Sequence, residues 1–291
     1  MTTLTVLMTM YHGTSVDELE RAVASIAAQT RQPDEFLIVV DGPVDNLVDG
    51  AIIRATAENR RIRVERLAHN MGNGRASARG VLVASGDFIA RQDSDDVSLP
   101  NRLERELAAM EARHLDLVGT AMLEFEEDPV NIVGIRRAPT THTAIVRRLR
   151  VNNPFNHPTV MFRRDVALNA GGYVDVPFHE DYDLWARMIS AGANTANLPD
   201  ALVLFSAGGG MLARRGGWKM LQHEVHMQRR LREAGVIGWV LTVRNLALRG
   251  TFRILPPKLL TTAYSALFRR DEPAFAVGTE LPRGHVSGDS A

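Results

Sequence analysis

The stretch "GDFIARQDSDD" (Gly86–Asp96) joins a short apolar strand pattern to three carboxylates in its last four residues, Asp93, Asp95 and Asp96. An apolar run bounded by a glycine and a polar turn is typical of a buried strand. The carboxylates therefore follow a strand end directly. In an open parallel sheet, ligands bind outside the carboxyl ends of the strands, so the pattern indicates a ligand site if the preceding residues build such a sheet.

Strand and helix patterns alternate through the first hundred residues. The predicted strands are Leu4–Met10, Glu35–Gly42, Ile62–Leu67 and Gly86–Asp93, and the predicted helices between them are Ser15–Gln29, Asn46–Asn59 and Asn73–Ser85. Ser15 and Glu18 have the spacing of a capping box at the first helix. Because parallel strands need crossover connections, the alternation predicts an α/β fold with a mostly parallel sheet covered by helices.

Polar residues follow several of these strands. Tyr11, Asp41 and Asn70 come just past strand ends, as the Asp93 cluster does, so the topology should bring them to one edge of the sheet. Asp93 and Asp95 are two positions apart, which puts both side chains on one side of an extended segment. A Mg²⁺ site typically combines one or two carboxylates with substrate phosphates and water. The pair therefore fits a metal-diphosphate site.

A plainer interpretation of the same turn is possible. Asp and Ser side chains are common helix caps, and Ser98 and Pro100 are start signals for a helix that follows. In that interpretation "DSDD" only caps this helix.

Composition excludes several classes of protein. The chain has 291 residues, 45% of them hydrophobic and 23% charged, which suits a globular protein with one large core. It has no cysteine, so disulfides, thiolate metal sites and cysteine nucleophiles are excluded. No signal-peptide pattern opens the sequence, and the apolar run 236–243 is too short to span a bilayer. We expect a cytoplasmic protein, or one peripheral to the inner face of the cell membrane.

Charge is distributed unevenly along the chain. Residues 214–270 contain twelve basic and two acidic residues, whereas residues 1–213 contain twenty-one basic and twenty-eight acidic ones. The change in charge predicts a domain boundary near Arg214. The predicted organisation is a domain over 1–213 with halves 1–100 and 101–213, a basic helical region over 214–270, and a flexible tail over 271–291.

The basic region has helical patterns with mixed apolar and basic faces. They cover Trp218–Arg232, Val236–Leu248 and the proline-containing segment Thr251–Arg270. Such helices suit the surface of an anionic membrane, where basic residues add to apolar insertion. The alternative is an ordinary helical appendage with solvated arginines. A nucleic-acid partner is not expected, because aromatic residues are not interleaved with the basic ones.

A second acidic cluster lies at "HEDYDLW" (His179–Trp185), which offers Glu180, Asp181 and Asp183 as general bases. The same residues could instead be acids that interact favourably with the N-terminus of a helix. His157 is either an acceptor-side residue or a structural histidine. These alternatives stay open on the residues alone.

Six segments, in their order along the chain, resemble a known family. They are "SIAAQTRQPDEFLIVVDG", "NMGNGRASARG", "RQDSDD", "NPFNHPTVMFRR", "GGY" and "EDYDLWARM". Together they resemble the inverting nucleotide-sugar glycosyltransferases of the GT-A fold, in particular the family 2 group that builds bacterial polysaccharides. The resemblance runs from about Thr5 to Gly217. It implies a Rossmann-like nucleotide-sugar-binding sheet with helices on both faces, joined to an acceptor-binding half; the C-terminal helices are an appendage to it.

The resemblance also implies roles for individual residues. The implied contacts to the donor nucleotide are Tyr11, Asp41 for the base, Arg79 for the nucleotide portion, and Asp93 for the ribose or diphosphate. Asp95, together with Asp93, would hold Mg²⁺ or Mn²⁺, and Asp181 would be the catalytic base.

The function this predicts is metal-assisted, inverting transfer from a nucleotide-diphosphate sugar, with a UDP-sugar as the expected donor. The expected acceptor is a saccharide or a polyprenol-linked saccharide. One alternative is a nucleotidyltransferase, but the glycine-rich basic phosphate loop that such an enzyme needs is missing from "TMYHGTS" (Thr9–Ser15). The other is a non-catalytic nucleotide-sugar-binding or assembly protein, which needs no general base.

Overall fold

The computed structural model describes residues 2–207 and 218–254. In these ranges nine strands form one sheet: β1 Leu4–Met10, β2 Glu35–Val40, β3 Ile62–Arg66, β4 Phe88–Asp93, β5 Val97–Ser98, β6 Leu117–Phe125, β7 Ile132–Arg136, β8 Met161–Arg163 and β9 Thr195–Ser206. The helices of the same ranges are α1 Val16–Ala27, α2 Asn46–Glu58, α3 Asn73–Val83, α4 Arg102–Ala112, α5 His142–Leu149, α6 Arg164–Asn169, α7 Glu180–Ser190, α8 Trp218–Glu233 and α9 Trp239–Ile254. A short 3₁₀ turn covers His157–Thr159.

The sheet has a parallel half and a mixed half. Its strand order is β3-β2-β1-β4-β8-β6-β9-β5, with β7 paired to β6 beside this path. The first four strands in this order are all parallel, and they are the four strands predicted from the sequence. β8 runs antiparallel to both β4 and β6, whereas β9 is parallel to β6. The predicted α/β fold with a Rossmann-like half is confirmed.

Helices cover both faces of the sheet, as predicted. Alternate residues of β1 point to opposite faces, so Val6 and Met8 join the core under α1, α2 and α4. Leu7 packs in the core under α3, α6 and α7. The predicted capping box is present, because Ser15 caps α1 and Glu18 bonds back to the Ser15 N–H. Because helices bury both faces, the strands are held in one register. The positions of their carboxyl ends are therefore fixed as well.

Two helices follow the sheet, as the C-terminal patterns predicted. Met227 and Leu231 of α8 pack with residues of α5 and α7 in a third apolar cluster. α9 begins at Trp239 and not at residue 236, because Gly235 ends α8 with a φ of +74°. The helix continues to Ile254 and so includes the first four residues of the predicted proline-containing segment.

Three of the predictions lie outside the described residues. They are the boundary near Arg214, the rest of the predicted helix beyond Ile254, and the flexible tail over 271–291. Among the described residues, none of the helices combines the length and apolar character needed to cross a membrane.

Candidate active site

The acidic turn after β4 rests on a buried arginine. Arg91 is fully buried, and its Nη2 donates to Thr9 Oγ1 at 3.1 Å and to Asp93 Oδ1 at 3.3 Å. Its Nε and Nη1 have no hydrogen-bond partner within the described part of the chain. The buried guanidinium therefore orients Asp93 and compensates part of its charge. Arg91 was not predicted, although a cation inside an otherwise apolar strand was a visible signal.

Asp95 and Asp96 do not cap the next helix. α4 begins at Arg102 after Asn101, and Asp96 Oδ1 instead accepts from the Ser206 backbone N–H at 2.9 Å. Ser94 shares a hydrogen bond with Thr14. The helix-capping interpretation of "DSDD" is therefore wrong.

Negative charge accumulates in this turn. Burial and the charge of Asp93 raise the pKa of Asp95 to about 6. Burial also raises the pKa of Asp96, whose Oδ2 is buried without a partner among the described residues. Carboxylates that repel one another in a confined place fit a divalent cation.

The donor set fits a cation that keeps substrate and water ligands. Among residues 2–207 and 218–254, no group of three or more histidine, aspartate or glutamate side chains is placed to hold a metal ion. Mg²⁺ is usually bound through one or two carboxylates together with substrate phosphates. Asp93 and Asp95 can supply that number.

Asp41 shapes the loop that enters α3. Its two carboxylate oxygens accept the backbone N–H groups of Met71 and Gly72 at 2.7 and 2.8 Å. The neighbouring Gly42 has a φ of +86°, and a Cβ there would lie 2.6 Å from the Asn70 nitrogen. Glycine is therefore required at this close approach. Contact between Asp41 and a nucleotide base stays a prediction.

Tyr11 lies at the edge of the sheet where the parallel strands end, whereas Arg79 lies on helix α3. Tyr11 is half-exposed just past β1, where its carbonyl accepts from the Thr14 N–H. Arg79 lies on α3, six residues after its first residue, and its Nε donates to Glu65 Oε1 at 2.7 Å. None of its hydrogen bonds in the described structure reaches the acidic turn. Its predicted role in nucleotide binding stays a prediction.

A chain of hydrogen bonds connects the β4 turn to α7. Thr9, which accepts from Arg91, donates its hydroxyl to Asn73 Oδ1 at 2.8 Å. Asn73 Nδ2 in turn donates to Glu180 Oε1 at 2.8 Å. Asn73 was not singled out from the sequence, because its partners come from distant segments. The fold thus brings the two acidic clusters to one site.

Asp181 is held at the start of α7. Its Oδ2 accepts from Asn153 Nδ2 at 2.6 Å, and its Oδ1 accepts from the Tyr182 N–H at 2.7 Å. Burial and the charge of Glu180 raise the pKa of Asp181 to about 7. An oriented carboxylate with a pKa near neutrality has the properties of a general base.

Asp183 and His157 are structural neighbours of this base. Asp183 is buried and accepts from Arg187 and from Arg230 of α8, at 2.8 and 2.7 Å. His157 shares a hydrogen bond with the Tyr173 hydroxyl. Burial and the charge of Arg91 lower the pKa of His157 to about 4, so its imidazole is neutral at pH 7. Because Asp183 is paired with two guanidinium groups and the pKa of His157 lies far below neutrality, neither has the properties that suit Asp181 to act as a general base.

A cavity of about 350 Å³ opens beside Glu180. It is lined by residues 71–74 at the start of α3, residues 175–178 and Glu180. At its rim Phe178 has a φ of +66°, which is unfavourable for a bulky residue, and its ring is exposed. Polar groups and an exposed aromatic ring around one cavity are features of ligand sites.

The family model of glycosyl transferase family 2 matches residues 5–171. This match contains the parallel half of the sheet and the acidic turn. The chain belongs to glycosyl transferase family 2. This membership confirms the resemblance seen in the sequence and makes the protein a glycosyltransferase that uses a nucleotide-sugar donor. It decides against the nucleotidyltransferase and the non-catalytic binding protein.

Two of the similar proteins are bacterial transferases that match over nearly their whole length. An amylovoran biosynthesis glycosyltransferase, AmsE of Erwinia amylovora, is 33% identical over 260 residues, which cover 89% of this chain and 97% of that protein. An Escherichia coli protein named UDP-Gal:alpha-D-GlcNAc-diphosphoundecaprenol beta-1,3-galactosyltransferase is 30% identical over 266 residues, covering 91% and 96%. The relation to bacterial polysaccharide biosynthesis proteins is thereby confirmed.

Solved structures support the same fold. S. aureus TarS 1–349 in complex with UDP-GlcNAc superposes with a TM-score of 0.65 at 17% identity, covering 92% of this chain and 76% of that one. The mannosyltransferase PcManGT of Pyrobaculum calidifontis, in complex with GDP-Man and Mn²⁺, gives a TM-score of 0.62 at 15% identity, again covering 92% and 76%. At these identities the likeness concerns the fold, which is the predicted GT-A type.

Proposed function

We propose that this glycosyltransferase moves a sugar from a nucleotide-diphosphate sugar to a saccharide hydroxyl by a single inverting displacement, with Asp181 as the general base. The observation that carries the proposal is the pairing of two different carboxylate sites. In the acidic turn at β4, Asp93 is paired with Arg91, whereas Asp95 and Asp96 form no ion pair within the described ranges. Hydrogen bonds through Thr9 and Asn73 link this turn to the start of α7. Asp181, the next residue there, has a pKa of about 7.

The donor end of the site would be built by the β4 turn. Asp95 and Asp93 would hold Mg²⁺ or Mn²⁺, which when bound neutralises charge that develops on the departing diphosphate. Arg91 keeps the Asp93 carboxylate in one orientation whether or not a ligand is present. Tyr11 and Asp41 lie at the same edge of the sheet and would contact the nucleotide.

Asp181 would act on the acceptor hydroxyl. As the acceptor oxygen forms its bond to the anomeric carbon, Asp181 takes the hydroxyl proton, and the bond from that carbon to the diphosphate oxygen breaks on the opposite face. The nucleoside diphosphate leaves with the bonding electrons, and the configuration inverts. Asn153 and the Tyr182 N–H hold the carboxylate in place for this transfer. A base whose pKa lies near the working pH is effective in both accepting and releasing the proton.

The acceptor would enter through the cavity next to Glu180. Its volume of about 350 Å³ suits a sugar ring, and Glu180 and Asn73 offer hydrogen-bonding groups at its wall. One relative is named for an acceptor linked to diphosphoundecaprenol. By this likeness we propose a polyprenol-linked saccharide acceptor and a UDP-sugar donor.

The test is transfer by the full chain from a panel of UDP- and GDP-sugars to a saccharide on a polyprenyl diphosphate, with Mn²⁺ or with EDTA. We expect an α-linked donor to give a β-linked product, which the anomeric proton coupling in NMR distinguishes. We also expect EDTA to abolish transfer. A product with retained configuration would contradict the single displacement, and full activity in EDTA would contradict the metal site.

A further inference from the structure

Helix α9 packs against the rest of the protein partly through polar side chains and leaves several of its apolar side chains exposed. The face that packs against the rest of the protein includes Thr242 and Asn245, both buried. Asn245 Nδ2 donates to the Arg150 carbonyl at 2.8 Å and to Gln228 Oε1 at 3.0 Å. A surface helix normally buries its apolar stripe and exposes its polar one. Leu241 also packs inward, against the third apolar cluster, but several other apolar side chains of α9 are left exposed.

The exposed side of α9 carries an apolar patch, which we call the α9 patch: Trp239, Val240, Val243 and Leu248. These side chains are 67%, 83%, 62% and 57% exposed. Helical spacing places Trp239, Val240 and Val243 within about one third of the circumference, so they form one surface. Leu248 lies further round the exposed side, beyond Arg244. Isolated exposed apolar residues are normal, as at Leu47 and Ile53 of α2, but a contiguous group on one helix marks a contact surface.

The charge around the α9 patch is basic. Residues 234–254 contain no aspartate or glutamate, and Arg244 is exposed one helical turn after Val240. Arg232 of α8 lies with its guanidinium carbon 3.7 Å from the centroid of the Trp239 ring. The nearby Glu233 is paired with Arg229 at 2.8 Å. Tryptophan and aliphatic residues beside arginines are the composition of helices that lie in a membrane interface.

We propose that the α9 patch docks on the surface of an anionic phospholipid bilayer, with α9 lying in the interface plane. Arginine head groups beside the patch would contact the lipid phosphates while the four apolar side chains enter the boundary of the acyl region. A second copy of this chain is a poorer occupant, because two such basic surfaces would repel each other. This inference concerns where the enzyme acts and holds for any acceptor.

The test is sedimentation of the full chain with vesicles of phosphatidylcholine alone and of phosphatidylcholine with phosphatidylglycerol. We expect binding to the anionic vesicles only, with a bound fraction that falls as salt rises. The Val240→Glu/Val243→Glu double variant should bind at least tenfold more weakly. Leu47→Glu/Ile53→Glu is the matched control: it adds the same charge at exposed apolar positions of α2 and should bind as the unmodified chain does.

Circular dichroism and donor binding verify that both double variants are folded. No vesicle binding by the unmodified chain, or equal loss of binding in both double variants, would overturn the proposal. So would a dimer of the unmodified chain in solution that Val240→Glu/Val243→Glu converts to a monomer, because the patch would then be an interface between copies.

Discussion

The two acidic clusters of the candidate site each carry three acidic residues within four positions, and the fold treats them differently. One is the turn after β4, with Asp93, Asp95 and Asp96, and the other is the start of α7, with Glu180, Asp181 and Asp183. In each segment the last acid is buried. The pKa is raised at Asp95 and Asp96 of the β4 turn and at Asp181 of α7.

The difference lies in how the buried acid is compensated. Asp183 accepts from two guanidinium groups, Arg187 and Arg230, which balance its charge. Asp96 accepts only from the Ser206 backbone N–H, and no ion pair to Asp95 or Asp96 is formed within the described ranges. The β4 turn therefore keeps an excess of negative charge.

The two clusters suit different chemistries. A cation site needs several acidic oxygens whose charge the protein leaves uncompensated. A general base needs one oriented carboxylate that can exchange a proton near neutral pH. The β4 turn meets the first requirement and α7 meets the second, although their sequences look alike.

The largest expected effect is at Asp95. Asp95→Asn removes one charge from the proposed cation site, so we expect transfer to be abolished and Mn²⁺-dependent donor binding by calorimetry to be lost. The melting temperature should be nearly unchanged, because the side chain serves a ligand and not the core. Glu58→Gln, which removes an exposed charge at the end of α2, is the control and should retain activity. If Asp95→Asn retains activity, the β4 turn is not the proposed cation site, and the proposed difference between the two clusters is wrong.

Asp181→Asn should give the next largest effect. Asparagine preserves size but cannot take the proton, so turnover should fall by roughly 10² to 10⁴. Donor affinity with Mn²⁺ should stay within a few-fold, since Asp181 would contact the acceptor. Glu180→Gln is the neighbouring control: the amide oxygen can still accept from Asn73, and turnover should change far less. If Glu180→Gln is the damaging substitution, the base has been assigned to the wrong residue.

Asp183→Asn tests the structural member of the α7 cluster. Breaking a buried ion pair by removing one partner costs about 3 to 5 kcal/mol, and we expect a loss of about 3 kcal/mol because Arg187 and Arg230 keep part of their hydration. Urea unfolding measures this loss. Glu20→Gln, which breaks the exposed pair with Arg54, should change stability by less than about 1 kcal/mol. Equal losses of stability in the two variants would contradict the structural role of Asp183.

The sequence predicted most of the parallel half of the sheet. Strands β1 to β4 and helices α1 to α3 have strong periodic patterns, and buried parallel strands read as continuous apolar runs. That topology alone predicts that Asp41 and Asp93 lie at the same edge of the sheet. The strands of the mixed half could not be assigned one by one from the sequence, because their pairings join β4, β6, β8 and β9 across long stretches of chain.

The division of roles within each acidic cluster could not be predicted from the residues. Whether an acid is compensated depends on partners far along the chain: Arg230 is 47 residues from Asp183, and Ser206 is 110 residues from Asp96. The link through Asn73 to Glu180 spans 107 residues. Motif spacing finds the clusters, and tertiary contacts decide what each member does.

The smallest expected effect is a pH dependence of stability at Asp181. It tests, without measuring activity, whether Asp181 and Asp183 are compensated differently. The pKa of Asp181 is raised from 3.8 to about 7 in the folded chain. Between these values the folded chain binds more protons than the unfolded one, so this residue makes the protein less stable as pH rises. Asp181→Asn lacks that penalty. Its melting temperature relative to the unmodified chain should therefore increase from pH 4 to pH 8, by about 2 to 4 °C if the hydrated part of the carboxylate limits the penalty to about 1 kcal/mol. Glu106, whose pKa burial also raises to about 7, is present in both proteins and cancels in the difference. A difference that does not change with pH would mean that Asp181 is compensated as fully as Asp183, and the two acids of α7 would then have the same role.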